Sequence, residues 1–248
     1  MKIRTLISLL IVILMSSCAS TGNVSYGQLP EDPWEGLNRK SYEFTIAVDK
    51  AVLKPVAKGY AFVMPDFAEK GVSNVFSNLG DIPNSLNNLL QGKPVDFLSD
   101  LGRFIINSTL GIVGLWDPAS SMGLVKHNED FGQTLAVWGV SDGPFVWIPL
   151  LGPSTLRDSF SLPIDSQMNV VNHTVDHIPT RNQLTILELV DKRVSLLPLD
   201  AQLESASDEY SFVRDAYLQN RNYKVYDGNI PFDDDFECEE EDEEDCDF

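Results

Sequence analysis

Reactive groups are scarce in this chain of 248 residues, which holds three cysteines and three histidines. No Gly-x-Ser-x-Gly elbow occurs, which argues against an α/β-hydrolase. No Gly-x-x-x-x-Gly-Lys-Ser/Thr loop occurs either, so the chain has no evident way to use ATP. There is no basic stripe, which disfavours nucleic acid as a partner. No apolar run reaches the roughly 18–20 residues that a membrane-spanning helix requires. No internal repeat is visible.

Acidic charge is abundant but uneven. The formal net charge is −19, yet Asp233 to Phe248 carries twelve acids and no base, leaving −7 elsewhere. That block reads as a disordered acidic tail over residues 231–248. Its cysteines, Cys238 and Cys246, suit a small disulfide loop in an oxidising compartment or free thiols. No EF-hand spacing is present among the tail acids.

The N-terminus is the most informative stretch. Met1-Lys2-Ile3-Arg4 is a short positive segment, Leu6 to Met15 an apolar run, and Ser16-Ser17 small residues before Cys18. The apolar run is too short to span a bilayer and has the flanks of a secretory signal peptide over residues 1–17. Leu14-Met15-Ser16-Ser17-Cys18 fits a bacterial lipobox, in which the cysteine is lipidated; cleavage at an ordinary signal site is the alternative. One acyl chain anchors marginally, whereas the three of a lipoprotein anchor firmly. Ala19 follows the cysteine where an Asp would signal inner-membrane retention. The expected location is the periplasmic side of the outer membrane. Residues 18–31 are small and polar and read as a lipidated tether.

The body, residues 32–230, reads as mainly α. Asp32-Pro33-Trp34-Glu35 has the pattern of an N-cap, a first-turn Pro and an acid three residues on. Lys54-Pro55 is expected to interrupt the helix that follows. Pro65 opens a second, Gly80 to Pro83 is expected to break it, and Asn84 to Gln91 forms a short third closed by Gly92. Lys93-Pro94 opens a fourth that runs towards Leu110. Residues 131–156 are rich in Gly, Pro and aromatics and predict irregular or short extended pieces. Thr185 to Leu197 and Ser205 to Tyr226 predict amphipathic helices. Phe104 to Trp116 is thirteen residues without a charge. It fits either a buried core segment or one lying in a membrane interface, with Leu110, Ile112, Val113, Leu115 and Trp116 as the embedding residues. Trp138 and Trp147 fit an interface or a core equally.

Candidate catalytic groups are few. His173 and His177 have the i,i+4 spacing of a metal pair, but position 174 is Thr rather than the Glu of a zinc-protease helix, and capping or surface roles account for them. His127, Glu129 and Asp130 have the types of an acid–base set, and a dense polar loop accounts for them equally. Arg157-Asp158 reads as a local ion pair. No metal, cofactor or catalytic residue is expected.

Several segments in order resemble the MlaA (VacJ) family of outer-membrane lipoproteins. They are Asp32-Pro33-Trp34-Glu35-Gly36-Leu37-Asn38-Arg39, Gly71 to Leu79, Asn87-Asn88-Leu89-Leu90-Gln91-Gly92-Lys93-Pro94, Arg103 to Gly111, His127 to Thr134, Pro149 to Asp158, and Val213-Arg214-Asp215-Ala216-Tyr217. The acidic tail with its two cysteines departs from the pattern. The resemblance implies a ring-like arrangement of amphipathic and interfacial helices with Gly/Pro-rich irregular segments, lipid-anchored at the N-terminus. It implies association with a trimeric porin and removal of phospholipids that have strayed into the outer leaflet of the outer membrane. A soluble periplasmic lipid carrier would receive them, and an ATP-driven inner-membrane complex would complete their return. A porin-associated scaffold that moves no lipid is the alternative.

Moving a headgroup through hydrocarbon is costly unless polar groups accompany it. On that argument Asn74, Asn78, Asn87, Asn88, Gln91 and Asn107, neutral donors and acceptors beside apolar faces, are candidates to line a polar passage. Helix capping and bonding between helices compete for the same residues. Arg39, Arg103 and Arg157 are candidates either to guide phosphates or to form salt bridges.

Overall fold

The structure is a computed structural model that describes residues 31–230. The signal peptide, Cys18, nearly all of the tether, Cys238, Cys246 and the acidic tail lie outside the described residues.

Helix α1 (Glu35–Val48) passes through a π-helical segment (Asp49–Leu53) into α2 (Lys54–Val63). Lys54-Pro55 therefore marks a change of helical pitch and not a stop. Pro55 sits in the first turn of α2, where its missing N–H costs little. Asp32 does not cap α1, which begins after Trp34. Its carboxylate is fully buried instead, accepting from Asn38 Nδ2 at 2.8 Å and from Tyr210 Oη at 2.5 Å, with Arg214 Nη1 at 3.5 Å.

Helix α3 (Asp66–Leu90) is continuous through Gly80 and Pro83, where a break was expected. Tertiary bonds on either side of the proline hold the helix: Asp81 binds Lys126, and Asn84 Nδ2 donates to the His127 carbonyl at 2.5 Å. These override a local propensity that amounts to about 3 kcal/mol against an interior Pro. Gly92, at φ +78°, turns the chain into α4 (Pro94–Thr109), which lies against α3. A one-turn helix, α5 (Pro118–Ser121), is capped by Asp117.

The Gly/Pro-rich stretch contains α6 (Phe131–Val137), capped by Asp130, where irregular or extended chain was expected. It then forms an antiparallel hairpin of β1 (Phe145–Ile148) and β2 (Gly152–Thr155), in the register Phe145 opposite Thr155 and Ile148 opposite Gly152. Then follow α7 (Leu156–Met168), α8 (Val170–Thr174), α9 (Ile178–Leu196), a 3-10 turn at Leu197–Leu199, α10 (Asp200–Ser205) and α11 (Glu209–Val225). The helix expected over Ser205 to Tyr226 is α11, which starts at Glu209 under a cap by Asp208, while Ser205 ends α10.

The elements contact one another in a closed circuit. The α1–α2 rod meets α9, α9 meets α3, α3 meets α6, α6 meets α7 and α11, these meet β2, and β1 returns to α1. Two small apolar clusters pin the circuit: Tyr42, Phe145, Trp147 and Tyr210 where α1, the hairpin and α11 join, and Ala57, Val190 and Val194 where α2 meets α9. Trp147 is thus a core residue, edge-on to Tyr42 at 4.9 Å, whereas Trp138 is 55% exposed.

Candidate functional site

The distribution of side chains is inverted. Among the described residues nine apolar side chains are buried against twenty-one polar or charged ones, while thirty-eight large apolar side chains are exposed. Water-soluble folds bury the opposite class. Helix α4 makes the pattern plain. Asp100, Arg103 and Asn107 share its buried face, while Val95, Leu98 and Ile105 point outward. Exposed apolar surface on this scale marks contact with lipid or protein. No described helix is long and apolar enough to cross a membrane.

The circuit encloses a cavity of about 490 Å³. Its wall comes from α3 (Phe76, Leu79, Gly80, Asn84), the cap of α6 (Glu129, Asp130), the hairpin (Pro153, Ser154), α7 (Asp158, Ser161, Asp165), α9 (Glu188, Lys192) and α11 (Tyr217, Arg221, Lys224). A second cavity of about 270 Å³ shares Phe76, Gly80, Asn84, Glu188 and Lys192 with the first. The two therefore meet at a junction between α3 and α9.

Charge in the larger cavity is arranged, not scattered. Arg221 lies between Asp130 and Asp158, donating through Nη2 to Asp130 Oδ1 at 2.7 Å and to Asp158 Oδ1 at 2.8 Å. Tyr217 Oη donates to Asp158 Oδ2 at 2.9 Å. Burial alone would raise the Asp130 carboxyl, but the Arg221 guanidinium outweighs it and holds Asp130 below the ordinary range. Gly132 packs against this cluster so closely that a Cβ would lie 2.4 Å from Arg221 Nη2 and from Asp158 Oδ1. Asp165 has no cation on it. It accepts from the Phe131 N–H at 2.8 Å and the Ser161 hydroxyl at 2.9 Å, and burial raises its carboxyl. Glu129 is likewise raised by burial, against a hydrogen bond from Gln91. The wall thus offers fixed charges of both signs without gathering a nucleophile and a base.

None of the six amides expected to line a passage faces either cavity. They bond elements together instead. Asn78 Nδ2 donates to Ser108 at 2.9 Å, and Asn88 Nδ2 to Asp100 Oδ2 at 2.8 Å. Asn87 Oδ1 accepts from Thr134 at 2.8 Å, and Gln91 Nε2 donates to Glu129 at 2.8 Å. Asn107 holds Asp117 at 2.9 Å and the Ala119 N–H at 3.0 Å, and Asn74 Nδ2 donates to the Leu115 carbonyl at 3.0 Å. The reason is geometric: α3 turns this stripe towards α4 and α6, and a different stripe, Phe76, Gly80 and Asn84, towards the void. Asn84 is the one asparagine of α3 that reaches it.

The arginines are structural. Arg103 is buried and binds Asp117 Oδ2 at 2.8 Å, Ser120 Oγ at 2.9 Å and the Leu124 carbonyl at 2.8 Å. Arg157 binds Asp142 and Asp158, and Arg39 binds Glu35 and Asp208. His127 Nδ1 lies 3.1 Å from the buried Asp100, while Glu129 faces Gln91 and Asp130 faces Arg221, so the three do not converge. His173 engages the Gln167 carbonyl and His177 Nδ1 the Thr180 hydroxyl, and no group of metal-ligating residues occurs among the described residues.

The Leu110–Trp116 segment is not core. Leu110 is 65% exposed, Val113 71% and Trp116 60%, and Ile112 and Leu115 also face outward. The loop is rigidly made. The Gly114 N–H donates to the Asn107 carbonyl at 2.9 Å and the Trp116 N–H to the Gly111 carbonyl at 3.0 Å. Ile112 and Val113 adopt φ of 51° and 57°, which β-branched residues rarely do. A Cβ on Gly114 would lie 2.9 Å from the Asn78 side chain, and one on Gly111 would lie 2.3 Å from the Trp116 carbonyl. Asn74 and Asn78 thus brace the loop from α3, where Leu115 Cδ2 lies against Gly71, while Leu110, Ile112, Val113 and Trp116 are exposed.

A family model described as MlaA lipoprotein matches residues 30–224. The protein of Escherichia coli (strain K12) called "Intermembrane phospholipid transport system lipoprotein MlaA" is 33% identical over 234 residues, 93% of this chain and 92% of the relative. The protein of the same name from Haemophilus influenzae is 28% identical over 234 residues, 93% of this chain and 94% of the relative. A solved structure described as "Structural basis for maintenance of bacterial outer membrane lipid asymmetry" matches with a TM-score of 0.69 at 32% identity. The match covers 78% of this chain and 98% of that one.

Proposed function

Because the chain belongs to the MlaA lipoprotein family, we propose that it removes mislocalised phospholipids from the outer leaflet of the outer membrane through a polar passage. It hands them to a soluble periplasmic carrier and so maintains lipid asymmetry. The observation that carries this reading is the inversion: a cavity of about 490 Å³ whose wall mixes charged groups with apolar side chains such as Phe76, Leu79, Leu162 and Val171, inside a shell of exposed apolar side chains. A headgroup entering the cavity exchanges water for fixed polar partners, which avoids the several kcal/mol that each unpaired polar group costs in hydrocarbon. Acyl chains stay in the bilayer or against the apolar exterior. No bond is made or broken, in keeping with a wall whose charged groups bond one another.

The membrane context follows from the same surface. Leu110, Ile112, Val113, Leu115 and Trp116 embed in the inner leaflet, and Cys18 carries the acyl chains that prevent release. Other exposed apolar faces fit a trimeric porin as lateral partner. The passage uses no energy source of its own, so direction comes from the carrier that takes up the lipid.

The test is outer-leaflet phospholipid in cells lacking this gene, with and without a wild-type copy. Accumulation that the copy reverses is expected. An unchanged level would overturn the transport reading in favour of a porin-associated scaffold.

A further inference from the structure

Glu188 and Lys192 lie one turn apart on α9, and both line the two cavities where these meet. Lys192 Nζ stands 2.7 Å from Glu188 Oε1, with the lysine side chain 69% and the glutamate 20% exposed. Phe76, Gly80 and Asn84 of α3 form the other wall of the junction, and a Cβ on Gly80 would meet nothing within 4 Å, so the gap is open. The neighbouring charges are otherwise engaged. Asp191 accepts from Ser73 at 2.8 Å, Lys126 binds Asp81, and Arg221 is held by Asp130 and Asp158. One cation and one anion, paired with each other and beside the Asp191 carboxylate, therefore stand where the two cavities meet.

An i,i+4 ion pair with one exposed partner, here Lys192, contributes little, so its partners exchange readily for ligand charges. Resting on the transport reading above, we propose that Glu188 and Lys192 select zwitterionic, amine-bearing phospholipids over anionic ones. The phosphate diester takes Lys192 and the headgroup ammonium takes Glu188, so the entering headgroup replaces both halves of the pair at once. An anionic headgroup satisfies Lys192 but leaves Glu188 facing negative charge, and like charges at this separation repel. In the larger cavity Asp165, which has no direct ion pair among the described residues, favours the same class, and Lys224, likewise without an ion-pair partner there, offers the phosphate a second cation.

The experiment incubates the full-length lipidated protein with vesicles of equimolar phosphatidylethanolamine and phosphatidylglycerol, then quantifies bound lipid by mass spectrometry. The wild type is expected to enrich phosphatidylethanolamine by about threefold, the scale of one exposed charge contact. Glu188→Gln brings the ratio towards that of the vesicles, and Lys192→Gln lowers both lipids together. Both positions lie on a half-exposed helix face, and unchanged thermal unfolding verifies that the variants fold. A wild-type ratio equal to the vesicles, or one unmoved by Glu188→Gln, overturns the selectivity while leaving transport standing. No bound lipid of either class overturns the transport reading itself. Adding free glycerophosphoethanolamine leaves the ratio unchanged. Displacement of lipid by this soluble diester would make the junction a site for small diesters and overturn its role in lipid passage.

Discussion

Arg221 and Asp158, distant in sequence, meet at two points on the cavity wall: Nη2 to Oδ1 at 2.8 Å and Nε to Oδ2 at 2.7 Å. Asp130 closes the cluster from the cap of α6. One guanidinium thereby fastens α11 to α6 and α7 and neutralises part of the wall. Removing it leaves the buried Asp158 carboxylate without its cation and facing the partly exposed Asp130. Arg221→Met is expected to cost about 3–5 kcal/mol, read as a fall in the chemical-denaturation midpoint. The pH dependence checks the cause. Asp130 has its folded-state carboxyl held below the ordinary value of 3.8, chiefly by Arg221 working against burial. Its stabilisation is present above that value and is lost as pH falls through the depressed folded value. Unfolding temperatures measured downward from pH 6 should therefore drop in the wild type, and drop less in Arg221→Met. Equal acid sensitivity would place the effect elsewhere.

The Leu110–Trp116 loop sets two effects against each other at one residue. Val113 has an unfavourable positive φ and a 71% exposed side chain. Val113→Gly relieves backbone strain of order 1 kcal/mol while removing apolar contact with lipid. Val113→Lys removes the contact and adds a charge. In protein without its acyl chains, both variants should partition less into vesicles, Lys more so than Gly. Only Gly should raise the unfolding temperature in detergent. Partition equal to wild type in both would mean that the loop does not lie in the bilayer.

Asp165 carries the opposite pH signature to Asp130. Burial raises its carboxyl above 3.8, and the hydrogen bonds from Phe131 and Ser161 and the charge of Arg221 offset this only in part. For a raised acid the stabilisation is complete below the unfolded value and is lost as pH rises through the folded value. Asp165→Asn keeps an acceptor for the Phe131 N–H and removes the ionisation. The variant should exceed wild type at pH 7 by less than about 1 kcal/mol, because the half-buried site is partly screened. The difference should vanish in acid. A variant less stable than wild type at pH 7 would assign Asp165 to bracing α6.

Periodicity revealed most of the helices, because a helix with one apolar face has the same pattern whether that face meets a core or a membrane. It did not reveal which way the face points. The buried stripe of α3 is Gly71, Asn78, Asp81, Ser85 and Asn88, and Leu86 and Leu89 lie outside. A soluble-protein reading reverses this. The amides were legible as polar groups beside apolar faces, and they proved to be bonds between α3, α4 and α6. The wall residues that matter most were illegible for a different reason. Arg221, Asp130 and Asp158 come from three separated segments, and no local spacing announces a cluster assembled by tertiary contact. The continuity of α3 through Pro83 escaped for the same reason, since Lys126 and His127 supply the bonds that hold it.

Gly80 offers the cleanest separation of passage from stability. It lies inside α3, lines both cavities, and has open space where a Cβ would be. A helix-interior glycine gives up about 1 kcal/mol relative to alanine, and here no packing contact requires its absence of a side chain. Gly80→Ala should therefore raise the unfolding temperature and leave lipid transfer near wild type, since a methyl group hardly narrows the gap. Gly80→Phe projects a ring across the junction towards Glu188 and Lys192. It should fold, because the ring enters a void and not a packed core, yet transfer of phospholipid from vesicles to the periplasmic carrier should fall at least tenfold, the scale of about 1.4 kcal/mol in a barrier. If Gly80→Phe folds and transfers lipid at the wild-type rate, headgroups do not cross between α3 and α9. If Gly80→Ala already abolishes transfer without loss of stability, the glycine serves motion of α3, and the open space beside it is incidental.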